Sequence, residues 1–535
     1  MSSLLEKAEE DGGLGAAGEH DNGENEEDKP LRWWSMVALC AGMSGTQLVW
    51  SVQNAYGNSY IYSLGVSPEL TALVWLASPL AGLLVQPTIG PLSDETPGRF
   101  RRRSWLLAST ILTYISLLYC AFAPDFPAAF GVPSSASEAT TISIALVSLW
   151  LANFGLNAMQ ALVRDLLLDR APSYQQPLAN AWATRFADIA AVLGYLAGYL
   201  DLSSWTALGW IGGGEFRKLV VVQGAVSVVL VLVVCGTQPE RRNVSRAEEG
   251  EGAGGKVKRL LRDIKESVAD LPLSVRRVCY VQTLAWIGYS ALLSYSTTYI
   301  SSLVYLDNPS TASSISSDAS TRPGSLPMVL WAATALVSAI LFPLLCSIGA
   351  SAGVLSRLST TSRKGRFARR LLSKVTPRNL WTCGLALFAV SMAGTFLVRS
   401  VAAGQAVVAV TGVSWALGEW VPYALVLETV RELERPATSY RSPYPLVHSA
   451  LSSASPVGTS LTHPSHASLT RTGGSLLGIH ATTIILAKIV LSLSAAGVLK
   501  LYSVASSWAE YDKADNGGAV WILRVGGAAG AAAAV

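Results

Sequence analysis

The chain has 535 residues, of which 50% are hydrophobic and only 14% are charged, and its mean hydropathy is +0.38. Soluble domains carry about 25% charged residues, so this composition excludes a string of soluble domains. The formal net charge of +4 indicates little about partners, because the charges are segregated along the chain.

The apolar residues come in long blocks, many of them close to the ~20 residues that cross a bilayer as a helix. Continuous apolar runs favour membrane helices over the alternating strands of a barrel. The sequence therefore predicts an all-α polytopic membrane protein with about twelve spans, embedded in a lipid bilayer. The predicted spans are Trp34–Tyr62, Leu70–Leu92, Ser104–Ala123, Ile142–Leu168, Leu178–Leu200, Leu219–Gly236, Val278–Tyr305, Met328–Ala350, Leu380–Val398, Val401–Val426, Leu476–Tyr502 and Ala519–Val535.

The spans divide into two six-helix halves, residues 31–236 and 277–535. Between them, residues 237–276 are highly charged and are interpreted as a cytoplasmic central loop. A Ser- and Pro-rich cytoplasmic insertion is predicted at about residues 428–472. Residues 1–30 lack the basic start and apolar core of a signal peptide and are interpreted as a disordered, acidic cytoplasmic tail.

Lys and Arg gather in alternate loops, after the second, sixth and eighth spans, whereas 124–141 contains none of them. By the positive-inside rule, every even-numbered span exits to the cytoplasm and both termini are cytoplasmic. The six cysteines lie in or beside separate apolar blocks without metal-ligand spacing. We expect no disulfide, metal site, cofactor or nucleic-acid partner.

The loop after the second span carries the sharpest motif. Gly90 starts the run Gly-Pro-Leu-Ser-Asp, which ends at Asp94 and is followed by Arg99. A carboxylate at the C-terminal end of a helix is disfavoured unless a positive group meets it. We expect Gly90 to permit close helix approach, and Asp94 and Arg99 to act as a gating latch. The alternative is an ordinary basic cytoplasmic loop.

Polar side chains gather on the first span, where Gln47, Trp50 and Asn54 share one helix face. Amides beside an indole suit a sugar, whose hydroxyls need hydrogen bonds and whose C–H face stacks on a ring. Gln53 is added to this substrate-binding set. Amides also join helix to helix in membranes, which is the alternative interpretation.

The fourth span contains the amides Asn157 and Gln160 and the intramembrane cation Arg164. A charge inside a span costs at least ~2.5 kcal/mol on insertion scales, so Arg164 should face a cavity or a partner. We expect all three to bind substrate. The alternative role of Arg164 is to anchor the helix end beside Asp169.

These motifs resemble those of plant sucrose–proton symporters and, more closely, of their fungal relatives, the sucrose and α-glucoside permeases. The similarity covers the stretch 75–94, the spacing of Gln47, Trp50 and Gln53, and the segment from Asn157 through Arg164 to a terminal Asp. The resemblance implies a major-facilitator fold, a disaccharide bound between the halves, and proton-driven uptake by alternating access.

The sequence departs from that family at its acidic positions, which are Asn153, Ser296 and Thr298 here. These residues do not titrate near neutral pH, so a coupled transporter would need another carboxylate. The replacements considered are Asp188 first, then Glu419, with Arg185 and Asp165 as further members of the proton-coupling set. Arg185 and Asp188 lie three residues apart, so a permanent ion pair between them is the alternative.

The leading hypothesis is a proton-coupled symporter for sucrose or maltose-type α-glucosides in the plasma membrane, with the vacuolar membrane as the alternative location. An uncoupled sugar facilitator and a non-transporting sugar sensor stay open. A membrane enzyme is disfavoured because no nucleophile, metal set or pair of catalytic carboxylates converges in the sequence.

Overall fold

A computed structural model describes residues 31–96, 101–172, 175–238, 271–307, 317–350, 362–372, 374–434, 466–508 and 518–535. In these ranges the chain is helical and contains no β-strand. The predicted N-terminal tail, most of the central loop and the middle of the Ser- and Pro-rich insertion lie outside the described residues.

The first half contains eight α-helices in the described residues. They are α1 (Trp33–Ser63), α2 (Pro68–Val74), α3 (Ala77–Glu95), α4 (Arg101–Ala121), α5 (Phe126–Ala129), α6 (Ser134–Arg170), α7 (Gln176–Tyr199) and α8 (Glu215–Thr237). Short 3-10 helices occupy Ala123–Asp125, Leu202–Ser204 and Thr206–Ile211. The second span is split between α2 and α3 because Pro79 has no N–H to donate to the carbonyl of Trp75.

The second half likewise contains eight helices in its described residues. They are α9 (Leu273–Asp307), α10 (Ser317–Ala350), α11 (Arg363–Leu372), α12 (Pro377–Gly394), α13 (Val401–Val410), α14 (Gly412–Glu434), α15 (His466–Trp508) and α16 (Gly518–Ala534). The tenth span is divided at Thr411 into α13 and α14, and the Thr411 hydroxyl donates to the Val408 carbonyl at 2.6 Å.

Helices occupy all twelve predicted span positions in the described part of the chain, which confirms the predicted fold class. Within the described ranges, eight helical segments are by themselves long and apolar enough to cross a membrane. The others include α16, with 17 residues, and α7, which carries Arg185 and Asp188. Three helices begin well before their predicted spans, α6 at Ser134, α10 at Ser317 and α15 at His466. No helix breaker ends the polar N-terminal extension of α6, and α10 accommodates Pro323.

The two halves meet along α1, α2 and α7 on one side and α9, α10 and α15 on the other. Within the second half, α14 starts against α10 at Gly412. A Cβ atom at Gly412 would lie 2.1 Å from Oγ1 of Thr334 and 2.2 Å from the carbonyl oxygen of Trp331. Only glycine permits this approach, which places Trp415 of α14 beside Trp331.

Candidate functional site

A cavity of about 290 Å³ lies between the two halves. Helices α1, α3, α6 and α7 line it from the first half, and α9, α10, α14 and α15 line it from the second. A cleft at the interface of two repeats is where transporters of this general architecture bind their substrates. Its lining mixes amides, indoles and four charged side chains.

Six of the seven predicted substrate-binding residues line this cavity. They are Gln47, Trp50, Asn54, Asn157, Gln160 and Arg164. The seventh, Gln53, is 1% exposed and accepts a hydrogen bond from Nδ2 of Asn153 at 3.2 Å. Gln53 therefore joins α1 to α6 behind the cavity wall, as the alternative interpretation of membrane amides expects.

Two of the lining amides are already oriented by neighbours. Nδ2 of Asn54 donates to the hydroxyl of Tyr195 at 3.3 Å, and Nε2 of Gln86 donates to Oδ1 of Asn157 at 3.1 Å. Asn157 also donates to the Ser78 carbonyl at 3.3 Å. These contacts fix the amides on α1 and α6 while leaving them at the cavity surface.

The charged groups of the cavity come from both halves. Arg164 on α6 and Asp188 on α7 belong to the first half, whereas Glu419 on α14 and Lys488 on α15 belong to the second. Glu419 interacts electrostatically with Asp188, Arg164 and Lys488. The cavity thus combines two carboxylates and two cations, so a change of charge at either acid alters the field across the interface.

The other two residues of the predicted proton-coupling set lie elsewhere. The guanidinium of Arg185 stands over the ring of Trp182, 5.2 Å from its centroid, and in the described residues it is not paired with Asp188. Asp165 pairs with Arg102 at 2.9 Å. Neither Arg185 nor Asp165 lines the cavity.

An ion-pair network ties α4 to α6 at the end of the first half that carries Arg101, Arg102 and Arg103. Asp169 accepts from Arg101 at 3.3 Å and from Arg102 at 2.6 Å. The structure does not show the alternative in which Arg164 anchors the helix end beside Asp169, because Asp169 is ion-paired with Arg101 and Arg102 of α4. Arg164 is exposed to the cavity instead.

Of the predicted gating residues, Gly90 and Asp94 lie on α3, while Arg99 lies outside the described residues. A Cβ atom at Gly90 would stand 3.4 Å from Oδ2 of Asp165, which is an ordinary van der Waals contact. Gly90 therefore gives the Asp165 carboxylate room beside α3. The latch between Asp94 and Arg99 stays a prediction.

An aromatic wall forms the second-half side of the cavity. Trp415 packs against Trp286 and Trp331 at centroid distances of 5.3 and 5.1 Å. In the described part of the chain, Nε1 of Trp286, Nε1 of Trp331 and Oγ of Ser290 have no hydrogen-bond partner. Buried donors of this kind are costly unless a ligand or water satisfies them. The wall is suited to a ligand with many hydroxyls and flat C–H faces.

Polar contacts close the space between the halves at the opposite end from the Arg101–Arg103 network. Asn58 on α1 donates to Ser294 O and to Oγ1 of Thr298 on α9, the latter at 3.3 Å. It also accepts from Nε1 of Trp75 at 2.5 Å. The family's acidic position at Thr298 is thus part of a closed interface here.

A salt bridge crosses the interface at the same end. Arg322 on α10 donates to Oδ1 of Asp201 at 2.7 Å and to Oε1 of Glu215 at 3.3 Å. Glu215 also accepts from the backbone N–H of Ser203 at 2.9 Å. The pKa of Asp201 lies below its usual value: partial burial acts to raise it, but the Arg322 guanidinium and the Ser204 N–H outweigh that effect.

The sequence analysis did not predict roles for Lys488, for Trp286 or for the salt bridge of Arg322 with Asp201 and Glu215. Lys488 had a usable signal, since it is a charged residue in the middle of the apolar eleventh span, where charges are functional by default. Trp286 and Arg322 had no such signal, because each depends on how two segments far apart in sequence pack together.

The family model described as Major Facilitator Superfamily matches residues 36–439. The chain belongs to the major facilitator superfamily. It is 28% identical, over 92% of its length and 90% of the relative, to the general alpha-glucoside permease of Schizosaccharomyces pombe. It is 26% identical to a sucrose transport protein of Oryza sativa subsp. indica, over 52% of this chain and 58% of that one.

Among solved structures, the chain resembles a partially occluded, inward open form of the xylose transporter XylE from E. coli. The TM-score is 0.55 at 14% identity, covering 94% of this chain and 96% of that one, so this likeness shows the fold alone. The relatives and the structural neighbour are transporters, not enzymes. The resemblance to fungal α-glucoside permeases and plant sucrose transporters is confirmed.

Proposed function

We propose that the chain is a proton-coupled symporter that takes up a disaccharide, sucrose or a maltose-type α-glucoside, by alternating access. The observation that carries the proposal is the composition of one cavity. Amides and an indole on α1 and α6 line the cavity from the first half, and two carboxylates line it as well. The aromatic wall on α9 and α10 carries N–H groups that have no hydrogen-bond partner among the described residues.

The substrate class rests on that lining together with the named relatives. Trp50, Trp286 and Trp331 offer ring faces and N–H groups from opposite sides, while Gln47, Asn54 and Gln160 offer amides. Disaccharides present alternating hydroxyls and C–H faces, which these groups complement. An α-glucoside permease and a sucrose transport protein among the relatives support the same class.

Coupling rests on Asp188 and Glu419, which face the cavity from different halves. Protonation of either carboxylate removes one negative charge from an interface that must open and close during transport. The electrostatic interaction between them means that each acid senses the charge of the other. Proton binding would then bias which arrangement of the halves is stable.

The sealed end supports alternating access. Contacts of Asn58 and Arg322 join the halves on one side of the cavity, and such contacts must break for the other side to close. With the predicted orientation, this sealed end is extracellular and both termini are cytoplasmic. The plasma membrane is the location that a nutrient uptake system requires.

Uncoupled facilitation is the second candidate, favoured by the roles of the family's acidic positions in this chain. Asn153 bonds to Gln53, Ser296 donates to the sulfur of Met328 at 3.0 Å, and Thr298 binds Asn58. All three therefore serve packing between helices. A facilitator would move sugar without protons.

Uptake of radiolabelled sucrose and maltose into cells that lack their own permeases tests the proposal. The measurement is made at external pH 5 and pH 7, with and without a protonophore, and with surface amounts quantified by a fluorescent tag. Symport predicts stronger uptake at pH 5 that collapses with the protonophore. Uptake that depends on neither the external pH nor the protonophore would support an uncoupled facilitator. Sugar binding without any flux would support a non-transporting sensor.

A further inference from the structure

Lys488 holds a position in the cavity that no motif explains. It lies on α15 and lines the cavity, and its Nζ atom stands 5.1 Å from the ring centroid of Trp286 and 5.8 Å from that of Trp50. Both distances fall within the ~6 Å over which a cation is attracted to an aromatic face. Trp50 belongs to the first half and Trp286 to the second, so one ammonium group connects both halves.

The ammonium lies over the two indole rings and, among the described residues, makes no hydrogen bond or salt bridge. Glu419 and Arg164 act on it through their electrostatic fields. A lysine inside a membrane protein normally pairs with an acid or with backbone carbonyls, so this arrangement leaves the ammonium free to move when a better ring ligand arrives.

A sugar would need the same surfaces. Stacking of a pyranose C–H face on Trp50 or Trp286 requires a ring face at van der Waals distance, and an ammonium above that face occupies the space. When displaced, the ammonium remains in the field of Glu419 on the same half, so it is not stranded in an apolar region.

We propose that Lys488 is a built-in competitor of the substrate, whose ammonium occupies the faces of Trp50 and Trp286 in the empty cavity and is displaced by the bound sugar. The inference rests on the proposed function, because it takes the cavity to be a sugar site. Lys488 is then a specificity-determining residue: it raises the sugar concentration needed for binding and penalises ligands that stack weakly.

The test compares the KM for maltose and sucrose uptake in the wild type with that of Lys488→Met, which keeps the length of the side chain and removes the charge. Displacement predicts that the KM of Lys488→Met falls by about three- to tenfold, the effect of releasing one or two cation–π contacts. Lys488→Arg keeps a cation over the rings and should have a KM equal to or above that of the wild type.

Lys500 supplies a matched control, because it lies on the same helix and is exposed; Lys500→Met should leave KM unchanged. A lysine that donates hydrogen bonds to the sugar gives the opposite sign, with KM raised in Lys488→Met, and a lysine that merely supports the fold leaves the KM of the protein at the surface unchanged. If Lys488→Met does not reach the surface, Lys488→Gln is measured in its place.

The two proposals fail separately. Wild-type uptake with an unchanged or raised KM in the Lys488 variant overturns the competitor role and leaves the sugar transporter standing. A wild-type protein that reaches the surface and neither binds nor takes up either sugar overturns both.

Discussion

The acidic residues of two regions of this protein differ in whether a neighbouring arginine forms an ion pair with them. Asp165 and Asp169 are paired with Arg101 and Arg102 inside the first half, whereas Asp188 and Glu419 face an open cavity between the halves. The paired acids join helices of one half. Under the proposed alternating access, the cavity acids lie where the two halves separate, so a change in their charge acts on that movement.

A third pattern lies between these two. Asp201 and Glu215 are ion-paired, like the first group, but their partner Arg322 comes from the other half. This bridge can persist only while its end of the interface is closed. The comparison therefore separates charges that join helices within one half, charges that join the two halves, and charges that we propose to bind protons.

Neutralising a cavity acid should have the largest effect. We expect Glu419→Gln to lower proton-driven uptake at pH 5 by about 100-fold, because an amide cannot carry a proton. Exchange of labelled for unlabelled sugar across the membrane should persist, since it needs no net proton movement. Asp188→Asn should behave in the same way if the two acids act together. Loss of both uptake and exchange would assign these residues to sugar binding instead.

Breaking the paired network should affect stability more than coupling. Arg102→Gln removes one cationic partner from each of Asp165 and Asp169, and the Arg102 side chain is 9% exposed. We expect a loss of about 2 kcal/mol in the free energy of unfolding, measured as a lower melting temperature of the detergent-purified protein. The protein that remains should still show protonophore-sensitive uptake; insensitivity would contradict the division between the two regions.

Breaking the bridge across the interface should shift a conformational equilibrium modestly. Arg322→Gln should raise the reactivity of a Ser59→Cys probe toward an impermeant thiol reagent by about two- to fivefold, the effect of losing a partly exposed ion pair. Ser59 accepts a hydrogen bond from Thr321 in the sealed end at 2.8 Å. Unchanged reactivity would show that the bridge does not hold the halves together.

The same bridge should not respond to pH in the physiological range. A carboxyl group with a lowered pKa in the folded protein contributes stability above its unfolded pKa and loses it as the pH falls through the folded value. For Asp201 that loss of stability occurs at pH values below those at which an ordinary aspartate titrates. The effect of Arg322→Gln on probe reactivity should therefore be equal at pH 5 and pH 7.

The smallest effect is expected at an acid that is ion-paired within the first half but largely exposed to solvent. Asp125 pairs with Arg217 at 2.9 Å; the side chain of Asp125 is 58% exposed and that of Arg217 is 12% exposed. Asp125→Asn should change uptake less than twofold and barely alter the melting temperature, because solvent screens an exposed carboxylate and Arg217 keeps its contacts with the Ala121 carbonyl and the Phe122 ring. A large loss of uptake here would mean that acid replacement is harmful wherever it occurs.

The sequence predicted the helices at the twelve span positions and the main polar residues of the cavity's first-half wall, because both depend on local patterns. Long apolar blocks define membrane helices, and Gln47, Trp50 and Asn54 were placed on one face by helical periodicity alone. The place of Gln53 behind the cavity wall could not be predicted, since its hydrogen-bond partner Asn153 lies one hundred residues away along the chain. The alternative of a permanent ion pair between Arg185 and Asp188 is not found in the described residues, where Arg185 lies over the nearby ring of Trp182.

Proton flux driven by sugar tests the central claim most directly. The wild-type protein and Glu419→Gln are reconstituted into liposomes containing a pH-sensitive dye, and a gradient of maltose or sucrose is imposed without a pH gradient. We predict that sugar entry acidifies the lumen in the wild type and not in Glu419→Gln, which still exchanges labelled sugar. Sugar entry without acidification in the wild type, or equal acidification in both proteins, would contradict coupling through the cavity carboxylates.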